Sequence, residues 1–131
     1  YGSKDIVKEL LKIKPPFNIN KIAEMAAVEA LKDKSFVLKS VKHNLKWALR
    51  IKKTLENYKI KTNKVSANFL LLDFDYCKYS AIRIKKFLEK KGILLRSLEA
   101  YKLKNKLRLT IGNTRENILL LKTLEKIFKN D

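Results

Sequence analysis

Two arginines in the last third of the chain, Arg96 and Arg108, have the residue type and setting to bind an anionic ligand. Arg108 lies inside an otherwise apolar run, residues 107–111, on the side opposite the aliphatic residues. A guanidinium group there cannot be buried without an anionic partner. Arg96 follows the apolar run 93–95, at the end of a predicted strand, where binding residues often occur. A solvated position on an open sheet face is the alternative interpretation for each arginine.

The other residues with chemical potential favour structural roles. His43 has no carboxylate, cysteine or second histidine near it in sequence, which predicts a surface or packing residue. Cys77 is the single cysteine, so it cannot form an intramolecular disulfide, and we expect an unreactive thiol. Asp73 and Asp75 have no partner framework for acid–base catalysis. The sequence therefore predicts no catalytic residue and no metal site in these 131 residues.

Composition restricts the class of protein. The 31 basic residues against 13 acidic ones give a net charge of +18, which raises nucleic acid as a partner. However, 26 of the basic residues are lysines spread along the whole chain, whereas phosphate-binding surfaces concentrate charge and use arginine. We therefore favour a general lysine bias of the composition over binding to nucleic acid. No apolar run is long enough to span a membrane, and the single cysteine favours a reducing, cytoplasmic setting.

The apolar periodicity predicts the elements that position the arginines. Helical spacing occurs at residues 4–11, 21–31, 36–58, 81–88 and after 114, and short apolar runs at 68–74, 93–95 and 107–111 predict strands. Asn20 and Thr114 are expected helix caps, Gly92 a left-handed helix stop, and Trp47 a residue packed at an edge. This order predicts an α+β fold, a small three-stranded sheet with helices on one face. We expect one domain over 1–131, with a connector helix and loop (1–20), a helical part (21–58) and the sheet with its helices (65–131).

Several stretches, taken in order, resemble the histidinol-phosphate aminotransferases. They are residues 14–20 (KPPFNIN), 41–47 (VKHNLKW), 66–71 (SANFLL), 92–96 (GILLR), 100–103 (AYKL) and 107–112 (LRLTIG), followed by Glu116-Asn117. The resemblance covers essentially the whole chain. Tyr1-Gly2 is similar to the Tyr-Gly that follows the active-site lysine region of this family. The chain has Tyr1 in first place and its only methionine at Met25, so we expect either a processed chain or a piece of a longer protein.

The resemblance implies the C-terminal small domain of a fold-type I, pyridoxal 5′-phosphate-dependent aminotransferase. In that family a large domain carries the Schiff-base lysine and most cofactor contacts, so we expect no cofactor-binding residue in this segment and no activity from it alone. The full-length enzyme is expected to be a cytoplasmic homodimer of histidine biosynthesis. It would transfer the amino group of L-histidinol phosphate to 2-oxoglutarate.

Carried over residue by residue, the resemblance assigns Arg108 to the substrate α-carboxylate and Arg96 to the substrate phosphate. Where the family usually has Tyr-Gly-Leu-Pro, this chain has Tyr101-Lys102-Leu103-Lys104. We expect this difference to alter the loop between the two arginines. Two other functions stay open: an aromatic or prephenate aminotransferase domain, and a basic module that binds nucleic acid by itself.

Overall fold

The computed structural model describes residues 2–129, which form two compact units. The N-terminal unit ends at Val37, and the C-terminal unit begins at Leu38. The elements in chain order are α1 (Lys4–Ile13), α2 (Lys21–Lys32), α3 (Lys34–Glu56), β1 (Lys61–Thr62), β2 (Phe69–Asp73), α4 (Ala81–Glu89), β3 (Arg96–Ser97), a 3₁₀ turn (Glu99–Tyr101), β4 (Lys106–Thr110) and α5 (Thr114–Lys129).

Side-chain caps start both helices of the N-terminal unit. Ser3 accepts a hydrogen bond from the Ile6 amide at the start of α1, and Asn20 caps α2 as predicted. Helix α1 ends before Pro15 because the residue before a proline disfavours helical angles, and Lys14 is extended. No residue of α1 or α2 is buried, so the apolar face of each helix is open to solvent.

The C-terminal unit is a four-stranded antiparallel sheet with helices on one face. The strand order is β1-β2-β4-β3. Leu70 pairs with Leu109 and Leu72 with Leu107, so alternation turns these four leucines to the same face. They join one buried cluster with residues of α3, α4 and α5, among them Ile51, Leu55, Ile84, Leu88, Leu120 and Leu124. The opposite face of the sheet carries Arg96 and Arg108.

The predicted α+β class is confirmed, but the sheet has four strands rather than three. Strand β1 has only two residues, too few to leave a periodic signal. The strand predicted at 93–95 lies at Arg96–Ser97, because the Ile93 amide closes the end of α4 by donating to the Leu88 carbonyl at 2.9 Å. Gly92 has the left-handed φ predicted for it, 75°.

Two further predictions within the helices were wrong. Trp47 is buried, with 4% of its surface exposed, rather than packed at an edge. The cap of α5 is Asn113, not Thr114: Asn113 Oδ1 accepts from the Glu116 amide at 3.0 Å, and Glu116 Oε2 accepts from the Asn113 amide at 2.8 Å. This reciprocal pair satisfies two amides at the helix start.

Candidate functional site

The register of β3 and β4 places Arg96 directly opposite Arg108 on the open face of the sheet. Leu71 of β2 is the partner of Arg108 on its other side. The Cβ atoms of directly opposed residues in an antiparallel pair are about 5 Å apart. Two guanidinium groups therefore extend from neighbouring positions on one surface, although they are twelve residues apart in sequence.

Arg108 is half-buried and incompletely hydrogen-bonded. Its Cζ lies 5.3 Å from the centroid of the Phe69 ring, a cation–π contact. Its Nε is shielded from solvent and has no hydrogen-bond partner. Buried donors in native proteins almost always have a partner, so an unsatisfied donor on a permanent cation is a position where an anion would be stabilised.

Arg96 is exposed, and an aromatic residue holds it. Its Nη2 donates a hydrogen bond to the hydroxyl of Tyr101 at 2.7 Å, and its Cζ lies 5.6 Å from the Tyr101 ring centroid. Tyr101 ends the 3₁₀ turn that follows the buried Leu98. The next residue, Lys102, has φ 60°, a left-handed conformation that glycine adopts without strain. The lysine here thus takes a glycine-like conformation.

The carboxylates of Asp73, at the end of β2, and of Asp75, in the loop after it, pair with a different cation. Lys106 Nζ lies 2.8 Å from Asp73 Oδ2 and 3.0 Å from Asp75 Oδ2. The Lys106 hydrogen bond lowers the pKa of the Asp73 carboxyl, and the Asp73 carboxylate raises the pKa of Lys106. Among residues 2–129, neither arginine takes part in an ion pair that the structure records. The arginine pair is therefore an uncompensated positive site.

A hydrogen-bonded turn follows the strand that carries Arg108. The Gly112 carbonyl accepts from Asn117 Nδ2 at 2.7 Å and from His43 Nε2 at 2.9 Å. The Gly112 amide donates to Asn117 Oδ1 at 3.0 Å, and Asn117 is buried. His43 thus joins the long helix α3 to the end of β4. The sequence predicted a surface or packing residue at His43 but not this partner, because the two residues are 69 apart.

The remaining candidates do not assemble into a catalytic centre. Burial raises the pKa of the Cys77 thiol, the opposite of what a thiolate nucleophile requires. Within the described part of the chain, no three histidine, cysteine or acidic residues are grouped to hold a metal ion. No helix among the described residues is long and apolar enough to cross a bilayer.

Pyridoxal phosphate attaches to a lysine that must react as the neutral amine, so a lysine suited to it has a lowered pKa. The two lysines whose pKa is shifted here, Lys106 and Lys129, both have it raised by neighbouring carboxylates. These two residues do not fit the cofactor.

The C-terminal unit is thus a small α+β module that carries two arginines on an open sheet face, with neither in a recorded ion pair among residues 2–129. The chain belongs to the aminotransferase class I and II family, whose sequence profile matches residues 1–123.

Within this family the chain is similar to histidinol-phosphate aminotransferases. It is 52% identical over 129 residues to the enzyme of that name from Pelagibacter ubique (strain HTCC1062), covering 98% of this chain and 36% of the relative. The solved histidinol-phosphate aminotransferase from Clostridium acetobutylicum superposes with a TM-score of 0.87 at 26% identity, over 98% of this chain and 39% of that one. The enzyme of that name from Sinorhizobium meliloti, solved in complex with pyridoxal-5′-phosphate, has the same fold, with a TM-score of 0.79 at 21% identity over 94% of this chain and 34% of that one. The chain thus spans about a third of the length of these relatives.

Proposed function

We propose that this chain anchors the substrate in a pyridoxal phosphate-dependent aminotransferase that acts on L-histidinol phosphate and 2-oxoglutarate. The observation that carries the proposal is the direct opposition of Arg96 and Arg108 on an open sheet face, with no carboxylate paired to either among residues 2–129. Two adjacent like charges disfavour each other unless an anion lies between them. A substrate phosphate or carboxylate is such an anion.

In this proposal Arg108 binds the α-carboxylate of an amino acid or 2-oxo acid. A planar guanidinium can make two parallel hydrogen bonds to a carboxylate, which fix both the position and the rotation of the substrate. The contact of Arg108 with Phe69 limits the directions that the guanidinium can take. The unpartnered Nε adds a donor that the bound anion can satisfy.

Arg96 binds the substrate phosphate. Histidinol phosphate carries a phosphate ester where an amino acid carries its α-carboxylate. The doubly charged phosphate group would therefore face both arginines. A phenylalanine or glutamate carboxylate would depend chiefly on Arg108. The pair can therefore accept both halves of the amino exchange, while Arg96 favours the phosphorylated amine.

The rest of the machinery belongs, in this proposal, to the two-thirds of the relatives' length that this chain does not match. Pyridoxal phosphate, when bound there, supplies the electron sink for the exchange. We place the Schiff-base lysine and the homodimer contacts in the same region, and the enzyme in the cytoplasm. The exposed apolar faces of α1 and α2 would be covered by that remaining part of the protein.

The test is kinetic and uses the full-length enzyme. We expect Arg96→Ala to lower kcat/KM for histidinol phosphate by about 10- to 150-fold, the range for a lost hydrogen bond to a charged group, with a much smaller effect on phenylalanine. Arg108→Lys should lower kcat/KM for both donors, because a lysine cannot make the bidentate contact. Arg115→Ala, which removes an exposed arginine on α5, serves as the control. Equal losses for both donors in Arg96→Ala would contradict the phosphate assignment, and a parent enzyme that prefers phenylalanine would favour an aromatic aminotransferase.

A further inference from the structure

Tyr101 is bound to Arg96 by a contact that an exposed surface tyrosine does not need for folding. The residue is 59% exposed, so burial of the ring contributes little to the fold. Its hydroxyl nevertheless accepts a hydrogen bond from Arg96 Nη2 at 2.7 Å, a short distance typical of a charge-assisted bond. The hydroxyl is thus directed to the guanidinium rather than to the protein interior.

The backbone around Tyr101 is shaped to hold this contact. The Tyr101 amide donates to the Leu98 carbonyl at 2.9 Å, and the Lys102 amide donates to the Glu99 carbonyl at 2.8 Å. Lys102 adopts a left-handed φ of 60° to close the turn, which costs a non-glycine residue conformational energy. A loop retained in this conformation keeps the Tyr101 ring beside the guanidinium of Arg96 on the preceding strand, β3.

The hydrogen-bonding capacities of the two groups make them a composite anion receptor. A phenol that accepts a hydrogen bond keeps its own O–H as a donor, and a guanidinium with five N–H groups keeps four after donating one. A free arginine side chain loses much rotamer entropy when it binds a ligand, and an arginine already held by Tyr101 loses less. Tyr101 therefore has two effects on an incoming phosphate: it restrains Arg96 and it adds a donor.

We propose that Tyr101 is a positioning and specificity residue that makes Arg96 selective for the phosphorylated substrate. The inference depends on the proposed function, because it assigns Arg96 to the substrate phosphate. The hydroxyl is the atom that matters, so Tyr101→Phe, which keeps the ring, is the informative variant.

The experiment compares Tyr101→Phe with the parent full-length holoenzyme. We expect KM for histidinol phosphate, and the inhibition constant of inorganic phosphate, to rise by about 2- to 12-fold, the range for one net hydrogen bond. The values of kcat, and KM for phenylalanine, should stay within twofold of the parent. Tyr76→Phe is the matched control. Tyr76 is also an exposed tyrosine, and Nζ of a different cation, Lys61, lies 3.8 Å from the centroid of its ring. The Tyr76→Phe variant should have the same KM, kcat and inhibition constant as the parent.

The outcomes separate this inference from the proposed function. If Arg96→Ala loses histidinol phosphate selectively and Tyr101→Phe does not, the phosphate role of Arg96 holds and the role of Tyr101 is overturned. If Arg96→Ala is not selective, the proposed function fails first. A purely structural role for Tyr101 would lower the melting temperature and affect both donors equally, and that result would also overturn the inference.

Discussion

Replacement of Lys106 by methionine tests whether the ion-pair network of the sheet stabilises the C-terminal unit. Methionine keeps most of the side-chain length and removes the charge. In the parent, Lys106 bridges Asp73 at 2.8 Å and Asp75 at 3.0 Å. Asn105 extends the network, because its Nδ2 donates to Asp75 at 3.2 Å and its Oδ1 accepts from the Ala81 amide at the start of α4 at 2.8 Å. Lys106 therefore connects β4 to the loop that leads into α4.

The expected loss lies between the values for exposed and buried ion pairs. Exposed pairs contribute about 0.2–1 kcal/mol, and removal of one partner of a buried pair costs about 3–5 kcal/mol. The Lys106 side chain is 18% exposed and has two carboxylate partners, of which Asp73 is the less exposed. We expect Lys106→Met to lower the free energy of unfolding by about 1.5 kcal/mol at pH 7, roughly a tenfold change in the unfolding equilibrium.

The pH dependence follows from the shifted pKa values. The folded-state pKa of Asp73 is lowered, so its contribution is present above the unfolded value of about 3.9 and is lost as pH falls through the folded value. The folded-state pKa of Lys106 is raised, so its contribution is present below the unfolded value of about 10.4 and is lost as pH rises through the folded value. The difference between parent and variant should therefore be largest between these limits and shrink on both sides.

The assay is urea denaturation of the 131-residue chain, followed by circular dichroism at a series of pH values. The buried core lies wholly within the C-terminal unit, so we expect the chain to fold by itself. Lys85→Met is the control, because Lys85 pairs with Glu89 within α4 at 3.1 Å, and its loss should cost no more than about 0.5 kcal/mol. A Lys106→Met loss equal to that of Lys85→Met, or a loss that does not change from neutral to strongly acidic pH, would refute the reasoning.

Three further predictions concern Lys102, His43 and Cys77. Lys102→Gly should raise the free energy of unfolding by about 0.5 kcal/mol in urea titrations, because glycine relieves the left-handed strain. Lys104→Gly is the control: Lys104 does not have a positive φ, so this change should lower the free energy of unfolding. His43→Ala should lower the free energy of unfolding by about 1 kcal/mol, because one donor to the Gly112 carbonyl is lost. An unchanged melting temperature would contradict this and would show that Asn117 alone holds the turn. Cys77 should react with iodoacetamide more slowly in the folded chain than in urea, because burial raises the pKa of its thiol. The midpoint of the plot of labelling rate against pH should therefore lie at higher pH in the folded chain, and equal rates in both states would contradict this.

The sequence predicted the helices closely because each has local signals. Asn20 and Gly92 mark helix ends through side-chain capping and backbone freedom, which act over three or four residues. The position of Arg108 on the face opposite Leu107 and Leu109 followed from the two-residue period of a strand, and the burial of both leucines beside a half-buried Arg108 agrees with it. The same rule failed for β1 and β3, since two residues show no period and their pairing depends on the neighbouring strand.

The sequence by itself determined the α+β class, most helix boundaries and the two arginines as candidate anion-binding residues, because patterns of polarity and capping are local. Only the tertiary structure decided that Arg96 and Arg108 lie opposite each other on neighbouring strands and that Tyr101 accepts a hydrogen bond from Arg96. The tertiary structure further decided that Lys106 forms ion pairs with the nearby carboxylates. It also decided that His43 reaches the Gly112 carbonyl. Strand register and side-chain partners arise from contacts between distant segments, and register is set by which residues the whole sheet can bury together.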